Sequence, residues 1–327
     1  MAKIPERLGS EYYRGFLTRQ GRVFYDRINA QLLRGDYSGK TTFSISNPET
    51  SASDCFAAYK AIRDDHPEFF YLGFQSEFTR RGQIGTLEYP ILYAPEIIDR
   101  IRQQVRKSIY RIVRGTAHLQ MIDREILVYE RISRKLAYSN HSDVRDHNIV
   151  GPVLLSSGVC EGNNALLLLC LRRIGIPCIK VYGRTKTDGW HCWTIAWING
   201  VPVHCDVTWD GTEEGFVRFD YLNLSDNQIS SDHFDFKGAH VPVCSSEALS
   251  YYSHRRLCVR SYKELKSRIK KDSQRGISPI LIHFSYYPPS GNCLDEVRRA
   301  FTVECSINGN YKIYYHPALK NVAVIMG

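Results

Sequence analysis

The chain has 327 residues, 43% of them hydrophobic and 24% charged, enough for about two globular domains and a sizeable core that needs no disulfides. Its net charge of +9 comes from 43 basic and 34 acidic side chains; the basic ones are scattered or paired (Arg172-Arg173, Arg255-Arg256, Lys270-Lys271) rather than set in a stripe with aromatics, so nucleic acid is not an expected partner. No apolar run approaches the roughly 20 residues of a membrane span, and Met1 to Arg7 lacks the apolar stretch of a secretory signal, so a cytoplasmic chain with no membrane partner and ten reduced cysteines is expected.

Residues 1–92 read as a mixed N-terminal segment. Ser53-Asp54 is placed to cap a helix through Ala57, Tyr59 and Ile62 that His66-Pro67 would end. The aromatic and Gly-rich stretch from Phe69 to Tyr93 reads as strands or loops. Pro95 suits a first helical position. Ile98, Ile101, Val105, Ile109 and Ile112 then form one apolar stripe, and Gly115 ends that helix. A second amphipathic helix carries Ile122, Ile126, Tyr129, Ile132 and Leu136.

A polar loop, Ser139 to Asn148, leads toward Gly158-Val159-Cys160-Glu161-Gly162. The helix after Cys160 is apolar almost all round, with Leu166 to Leu169, Leu171 and Ile174, and is expected to be buried on several sides. Gly175 and Pro177 stop it. Cys178 to Tyr182 is a short strand, followed by a turn near Asp188-Gly189. Residues 93–238 are therefore taken as the catalytic core. From 239 to 327 a small α/β unit is expected. In it, Ser261 with Glu264 forms a capping box, Ile280 to Phe284 is a strand, and Asn292 caps a helix through Val297 and Phe301. Two final strands run from Tyr311 to Tyr315 and from Val322 to Met326.

The chemistry concentrates between Cys160 and Asp210. A cysteine opening a buried helix is followed by Trp190-His191-Cys192-Trp193 and by His204-Cys205-Asp206-Val207-Thr208-Trp209-Asp210. That is the order of a thiol nucleophile, a base and an orienting acid. Asn199-Gly200 predicts a type I′ hairpin, since that turn needs positive φ at both central residues. Counting outward pairs Ile198 with Val201, Ala196 with Val203, Ile195 with His204, Trp193 with Asp206 and His191 with Thr208. His191, Trp193, Ile195 and Trp197 then share a face with His204, Asp206 and Thr208, and Cys192, Thr194, Ala196, Val203 and Cys205 face the core. His191 and Asp206 become diagonal neighbours within side-chain reach. If the Leu-rich helix packs on the His191 face, its N-terminus brings Cys160 to the imidazole. Free N–H groups at that terminus lower the thiol pKa.

These three motifs, with Phe219 to Asp226 and Asp232-His233 trailing them, resemble the transglutaminase-like superfamily in the bacterial branch of papain-fold cysteine enzymes. The resemblance is good over about 150 to 235 and weaker elsewhere. It implies an α+β fold, with a papain-like transglutaminase core in which the nucleophile helix packs on an antiparallel sheet, flanked by N-terminal helical and C-terminal α/β additions. It implies Cys160 as nucleophile, His191 as base and Asp206 as orienter, with a protein or peptide substrate. The reaction would be acyl transfer to amines or hydrolysis of peptide or isopeptide bonds. Asn163 stands where an aromatic residue often follows the Cys-Glu-Gly element, so the groove is expected to differ. Oxyanion candidates are the Cys160 N–H, Asn148 and Tyr138, and Trp193 is a candidate groove residue.

Each feature also has a plain structural reading. Buried Cys, His and Trp residues are commonly core, and His204 is a second possible base. The His191-Cys192 and His204-Cys205 doublets do not chelate one ion from a regular strand, because successive side chains point to opposite faces, and no CxxC pair exists; no metal or other cofactor is expected. Peptidase or amidase action is preferred over cross-linking. Two alternatives remain, a non-catalytic peptide-binding scaffold and an arylamine acetyltransferase, whose Arg-Gly-Gly lead into the cysteine is absent. Oligomeric state is not legible.

Overall fold

The computed structural model describes residues 10–45, 52–139, 143–187, 189–211, 216–289, 291–304 and 311–326. The Met1 to Arg7 reading, Asp188 of the expected turn and residues 140–142 of the polar loop lie outside them. The Thr18 hydroxyl accepts the Gly21 N–H and starts α1 (Arg19–Leu33), which buries Phe24, Tyr25, Ile28 and Leu32. Strand β1 (Lys40–Ser44) is followed by α2 (Ala52–Asp65), which packs on α1 and stops before His66-Pro67 as expected. The aromatic stretch supplies β2 (Glu77–Arg81) and β3 (Ile84–Glu88), antiparallel in a sheet of order β1-β3-β2.

The two amphipathic helices form as their stripes require. Helix α3 (Pro95–Val113) buries Ile98, Ile101, Val105, Ile109 and Ile112, and α4 (Met121–Ser133) buries Ile122, Ile126, Tyr129 and Ile132. A short parallel pair, β4 (Ala137–Tyr138) and β5 (Ser157–Gly158), delivers the chain into α5 (Cys160–Arg173). Gly162 to Leu171 of α5 are all buried, between α3 and α4 on one side and the main sheet on the other. In its last turn, Arg172 donates to the Asp65 carbonyl at 2.7 Å and the Cys178 carbonyl at 3.1 Å, which ties α2 to the sheet.

That sheet contains β6 (Cys178–Thr185), β7 (Gly189–Ile198), β8 (Val201–Cys205) and β9 (Leu222–Leu224). After α6 (Asp226–Ile229), β10 (His233–Phe234) adds to its other edge. The order is β10-β6-β7-β8-β9 and every pair is antiparallel. Asn199 and Gly200 both have positive φ, 51° and 83°. The expected register holds from Ile198↔Val201 through Thr194↔Cys205. It then differs from the count: β8 ends at Cys205, and the Asp206 N–H donates to the Tyr221 carbonyl at 3.0 Å. The Trp193–Asp206 and His191–Thr208 ladder pairs are therefore not made.

The conditional placement of the Leu-rich helix is also corrected. Helix α5 lies on the Cys192, Thr194 and Ala196 face, not on the His191 face. The Thr194 hydroxyl donates to Asn164 Oδ1 at 2.7 Å, and the Cys178 thiol lies 3.5 Å from the Leu168 carbonyl. The reason is steric: Ala196, Val203, Ile198 and Cys205 leave a shallow apolar surface for leucines, whereas the opposite face carries Trp193, His204 and Asp206 and is covered by Tyr221, Leu224, Ile229 and Phe236.

Helix α7 (Tyr251–His254), β11 (Cys258–Val259), α8 (Tyr262–Gln274), β12 (Ile280–Phe284), α9 (Cys293–Glu304), β13 (Tyr311–His316) and β14 (Asn321–Met326) complete the chain, with a sheet of order β11-β12-β14-β13. Ser261 caps α8, but Glu264 reaches the Arg260 N–H rather than that of Ser261, so only half of the expected box forms. Asn292 accepts the Leu294 N–H at 2.9 Å, at the start of α9. One apolar cluster joins α8, α9 and this sheet; the largest runs from Phe24 through the α5 leucines to Ala323. Among the described residues, no helix is long and apolar enough to cross a membrane.

Candidate active site

Cys160 is the first residue of α5 and is half-buried. The turn that presents it is held from behind. Asn163 Nδ2 donates to the Gly158 carbonyl at 3.1 Å, and the Val159 N–H donates to the Asp146 carbonyl at 3.1 Å. Gly162 permits this approach, because a Cβ there would sit 2.4 Å from the Asp146 carbonyl oxygen and 2.7 Å from that of Asn148. Asn163 is thus buried structure behind the Cys160 turn, not a groove surface.

The sulfur meets β7 at that strand's beginning, where it touches both the Cys192 thiol and the His191 ring. His191 Nε2–H donates to Asp206 Oδ2 at 2.7 Å, which leaves Nδ1 for the sulfur. Contact with the Cys192 thiol, opposed by burial and followed by the His191 ring, holds the Cys160 thiol well below its ordinary pKa. Burial pushes Cys192 well up, so it stays protonated and donates to the thiolate. Burial also works against charge on His191, but Asp206 and then Cys160 outweigh it and lift its pKa to about 10. Both shifts favour the thiolate and imidazolium over the neutral pair.

Asp206 is 1% exposed and satisfied on both oxygens. Oδ1 accepts the Thr208 and Trp209 N–H groups at 2.9 and 3.3 Å. Oδ2 accepts His191 and also His233 Nε2 at 3.1 Å. Its own carbonyl accepts the Tyr129 hydroxyl of α4 at 2.7 Å. Burial opposes its charge, yet His191 and His233 hold the carboxyl well below the usual carboxylate range.

Trp193, an expected groove residue, is 1% exposed. It forms the wall behind His191, with ring centroids 5.9 Å apart and an interplanar angle of 23°. Gly183 makes room for its indole, since a Cβ there would lie 2.6 Å from it. Trp193 Nε1–H donates to His204 Nδ1 at 2.9 Å, so His204 carries its proton on Nε2 and gives it to Asp226 at 2.8 Å. His204 is therefore a fully buried neutral support for Trp193 and not the base. Asn148 is engaged within its own loop, donating to the Val144 carbonyl and accepting the Val150 N–H. Tyr138 is 54% exposed on β4, whose neighbour β5 leads to Cys160.

Among the described residues, two acid–histidine clusters have metal-ligating atom types within 4.8 Å of one another, His191-Asp206-His233 and His204-Asp226-Cys244. In both, His nitrogens and carboxylate oxygens meet at direct hydrogen-bond distances of 2.7 to 3.1 Å.

Exposed apolar side chains stand close to Cys160 and His191 along the chain. Trp190, next to His191, is 76% exposed, and Leu154 and Leu155 are half exposed just before β5. An open cleft of about 550 Å³ borders Glu161 and is lined by Phe56, Tyr59, Arg63, Phe74 and Tyr182. A roomier apolar hollow, about 770 Å³, lies at the far end of α5 around Tyr12, Pro177 and Trp197, away from the chemistry. His233, Asp232 and Cys192 were not singled out as site residues from sequence; Asp232-His233 entered only as part of the family resemblance, without a role, and Cys192 as a core-facing residue.

The family model of the transglutaminase-like superfamily matches residues 106–221. Among solved structures the chain is similar to a TGase, with 10% identity over 61% of this chain and 56% of that one and a TM-score of 0.33. It is similar to a candidate cysteine protease from Cytophaga hutchinsonii (13% identity, 44% and 65% covered, TM-score 0.29) and a candidate protease from Parabacteroides distasonis (10%, 44% and 40%, TM-score 0.26). The chain spans less than two thirds of the length of each. No curated protein matches it. Residues 106–221, in which a buried helix opens on Cys160 and packs on the antiparallel sheet that carries His191, are thus transglutaminase-like in sequence and fold.

Proposed function

We propose that this protein is a cysteine-nucleophile enzyme acting on peptide or isopeptide amide bonds, with Cys160, His191 and Asp206 as its triad and water as the usual acceptor. One observation carries the reading: the unbroken line from the half-buried Cys160 sulfur through the His191 ring to the Asp206 carboxylate at 2.7 Å. In the proposed cycle the Cys160 thiolate attacks the amide carbon and forms a C–S bond. The oxygen charge that develops is met by the free N–H groups of the first turn of α5, beginning with that of Cys160. His191 then gives its Nδ1 proton to the departing amine, and the C–N bond breaks to leave a thioester. His191, now neutral, takes a proton from water as it attacks; the C–S bond breaks, and acid and thiolate–imidazolium are regenerated. The exposed apolar side chains of Trp190, Leu154 and Leu155 support an extended peptide as substrate. Hydrolysis is preferred over transamidation because it requires no amine subsite.

The test is the alkylation rate of each cysteine against pH, with iodoacetamide and peptide mass spectrometry. Cys160 is expected to label rapidly at pH 6, when ordinary thiols are protonated, and to lose this in His191→Ala. A Cys160 as inert as the buried Cys170 and Cys178 would sink the enzyme reading and favour a peptide-binding scaffold. Peptide cleavage without incorporation of an added alkylamine would support hydrolysis, and amine incorporation would replace it with transfer.

A further inference from the structure

Asp206 does not serve His191 alone. The Oδ2 that accepts His191 lies 3.1 Å from His233 Nε2, and the other nitrogen of His233, Nδ1, lies 2.6 Å from Asp232 Oδ1. An ionised carboxylate only accepts hydrogen bonds, so a ring held between two of them donates from both nitrogens and carries two protons. The His233 side chain is fully buried, where an unbalanced cation would be costly. Here two carboxylates of low pKa flank it. Burial opposes its charge, and Asp206 and Asp232 overcome that and raise its pKa.

The brace continues outward. The Tyr221 hydroxyl donates to Asp232 Oδ2 at 2.7 Å and lies 2.7 Å from His316 Nε2. His316 Nδ1 accepts the Leu319 N–H at 3.2 Å, so the proton of a neutral His316 sits on Nε2, directed at Tyr221. A line of hydrogen bonds thus runs from β13 through Tyr221, Asp232 and His233 to Asp206, with Asp232 accepting from both Tyr221 and His233. The other groups facing the His233 ring are His191 at 5.5 Å, Trp193 at 4.8 Å, Trp209 at 4.6 Å and Tyr221 at 5.6 Å between ring centroids, with His204 near enough to feel its charge.

We propose that His233 is a positioning residue of the Cys160–His191–Asp206 centre: a buried imidazolium that pins Asp206 Oδ2 and shares its charge, so that Asp206 orients His191 without fixing the proton on it. The inference rests on the triad reading given above. Sharing matters because His191 must release a proton in one half of the cycle and regain it in the other. A full, unshared carboxylate would make it too weak an acid.

The probe is iodoacetate, whose negative charge reacts best with a thiolate beside an imidazolium; its rate with Cys160 rises as the thiolate forms and falls as His191 loses its proton. In His233→Gln the repelling cation is gone, while the amide can still donate to Asp206, so His191 holds its proton more tightly. The falling limb is expected to move to higher pH by about one unit, as for removal of a like charge 4–6 Å away. Asp232→Asn, which withdraws one of the two carboxylates from His233, is expected to move it in the same direction by less. Folded variants with the wild-type falling limb would overturn the role of His233 while leaving the triad intact. A wild-type Cys160 no faster than the other cysteines would overturn the triad itself. Should neither variant fold, the ring proton resonance of wild-type His233 decides: an imidazolium signal held through pH 8 supports the proposal, and titration near its ordinary 6.5 overturns it.

Discussion

Asp206 is the residue on which most of the site's electrostatics converge, since it accepts two imidazoles and two backbone N–H groups while fully buried. Asp206→Asn keeps the shape but replaces one accepting oxygen by a donor, which faces either His191 or His233 with a mismatched proton. Turnover of a peptide substrate is expected to fall at least about 100-fold, with Cys160 alkylation at pH 6 falling alongside it. A wild-type rate in this variant would show that His191 needs no orienting acid. Order along the chain was enough to mark Cys160, His191 and Asp206. His233 was noted in the resemblance but given no role, because it reaches Asp206 from β10, a two-residue strand that pairs with β6.

Turns and close approaches govern the elements. Gly200 and Gly162 are both glycines near functional strands, yet they differ physically. Gly200 has φ +83° and open space around it, so Gly200→Ala meets only left-handed backbone strain, about 1–2 kcal/mol of stability. Gly162 is in regular helix, but its Cβ would meet two backbone carbonyls of residues 146 and 148. Gly162→Ala must therefore shift the loop or the start of α5, and the fast alkylation of Cys160 at pH 6 is expected to be lost. Thermal melts and the alkylation assay together separate the two; equal Cys160 reactivity in both variants would contradict this account. The helices α3, α4 and α5 were legible from apolar spacing alone. The hairpin register was legible from Asn199-Gly200 up to Thr194↔Cys205, where the ladder ends because the Asp206 N–H finds Tyr221 instead.

Across the whole molecule, the helical layer and the main sheet are joined by a buried acid. Glu125 of α4 accepts Asn223 Nδ2 at 2.7 Å and lies 3.5 Å from the Cys205 thiol. Burial raises its pKa from 4.5 to about 7, against the smaller opposing effect of Asn223. The folded state therefore holds this proton more tightly than the unfolded chain. Its stabilising contribution is complete below about pH 4.5 and lost as pH rises to about 7, a fall on the order of 3 kcal/mol. Asp210, raised to about 7 mainly by burial and by Asp220, adds a fall of the same sign. Glu125→Gln is expected to remove only the first part, so urea midpoints between pH 5 and 8 should drop less steeply than in wild type. Parallel curves would show that Glu125 is ionised in the fold throughout.

The sequence by itself determined the local and one-dimensional features: the apolar stripes, the stop at Gly175 and Pro177, the two-residue turn, and the order of thiol, imidazole and carboxylate. Each depends on neighbours within a few residues, where spacing maps directly onto geometry. Only the tertiary structure decided which face of the sheet received the α5 leucines, since that depends on the combined depth of side chains from four strands. It also decided that Trp193 is a wall and not a groove, and that Asp206 is shared with His233. Those outcomes depend on contacts between segments far apart in the chain, and burial by β9, β10 and the C-terminal strands sets which polar groups must pair with one another.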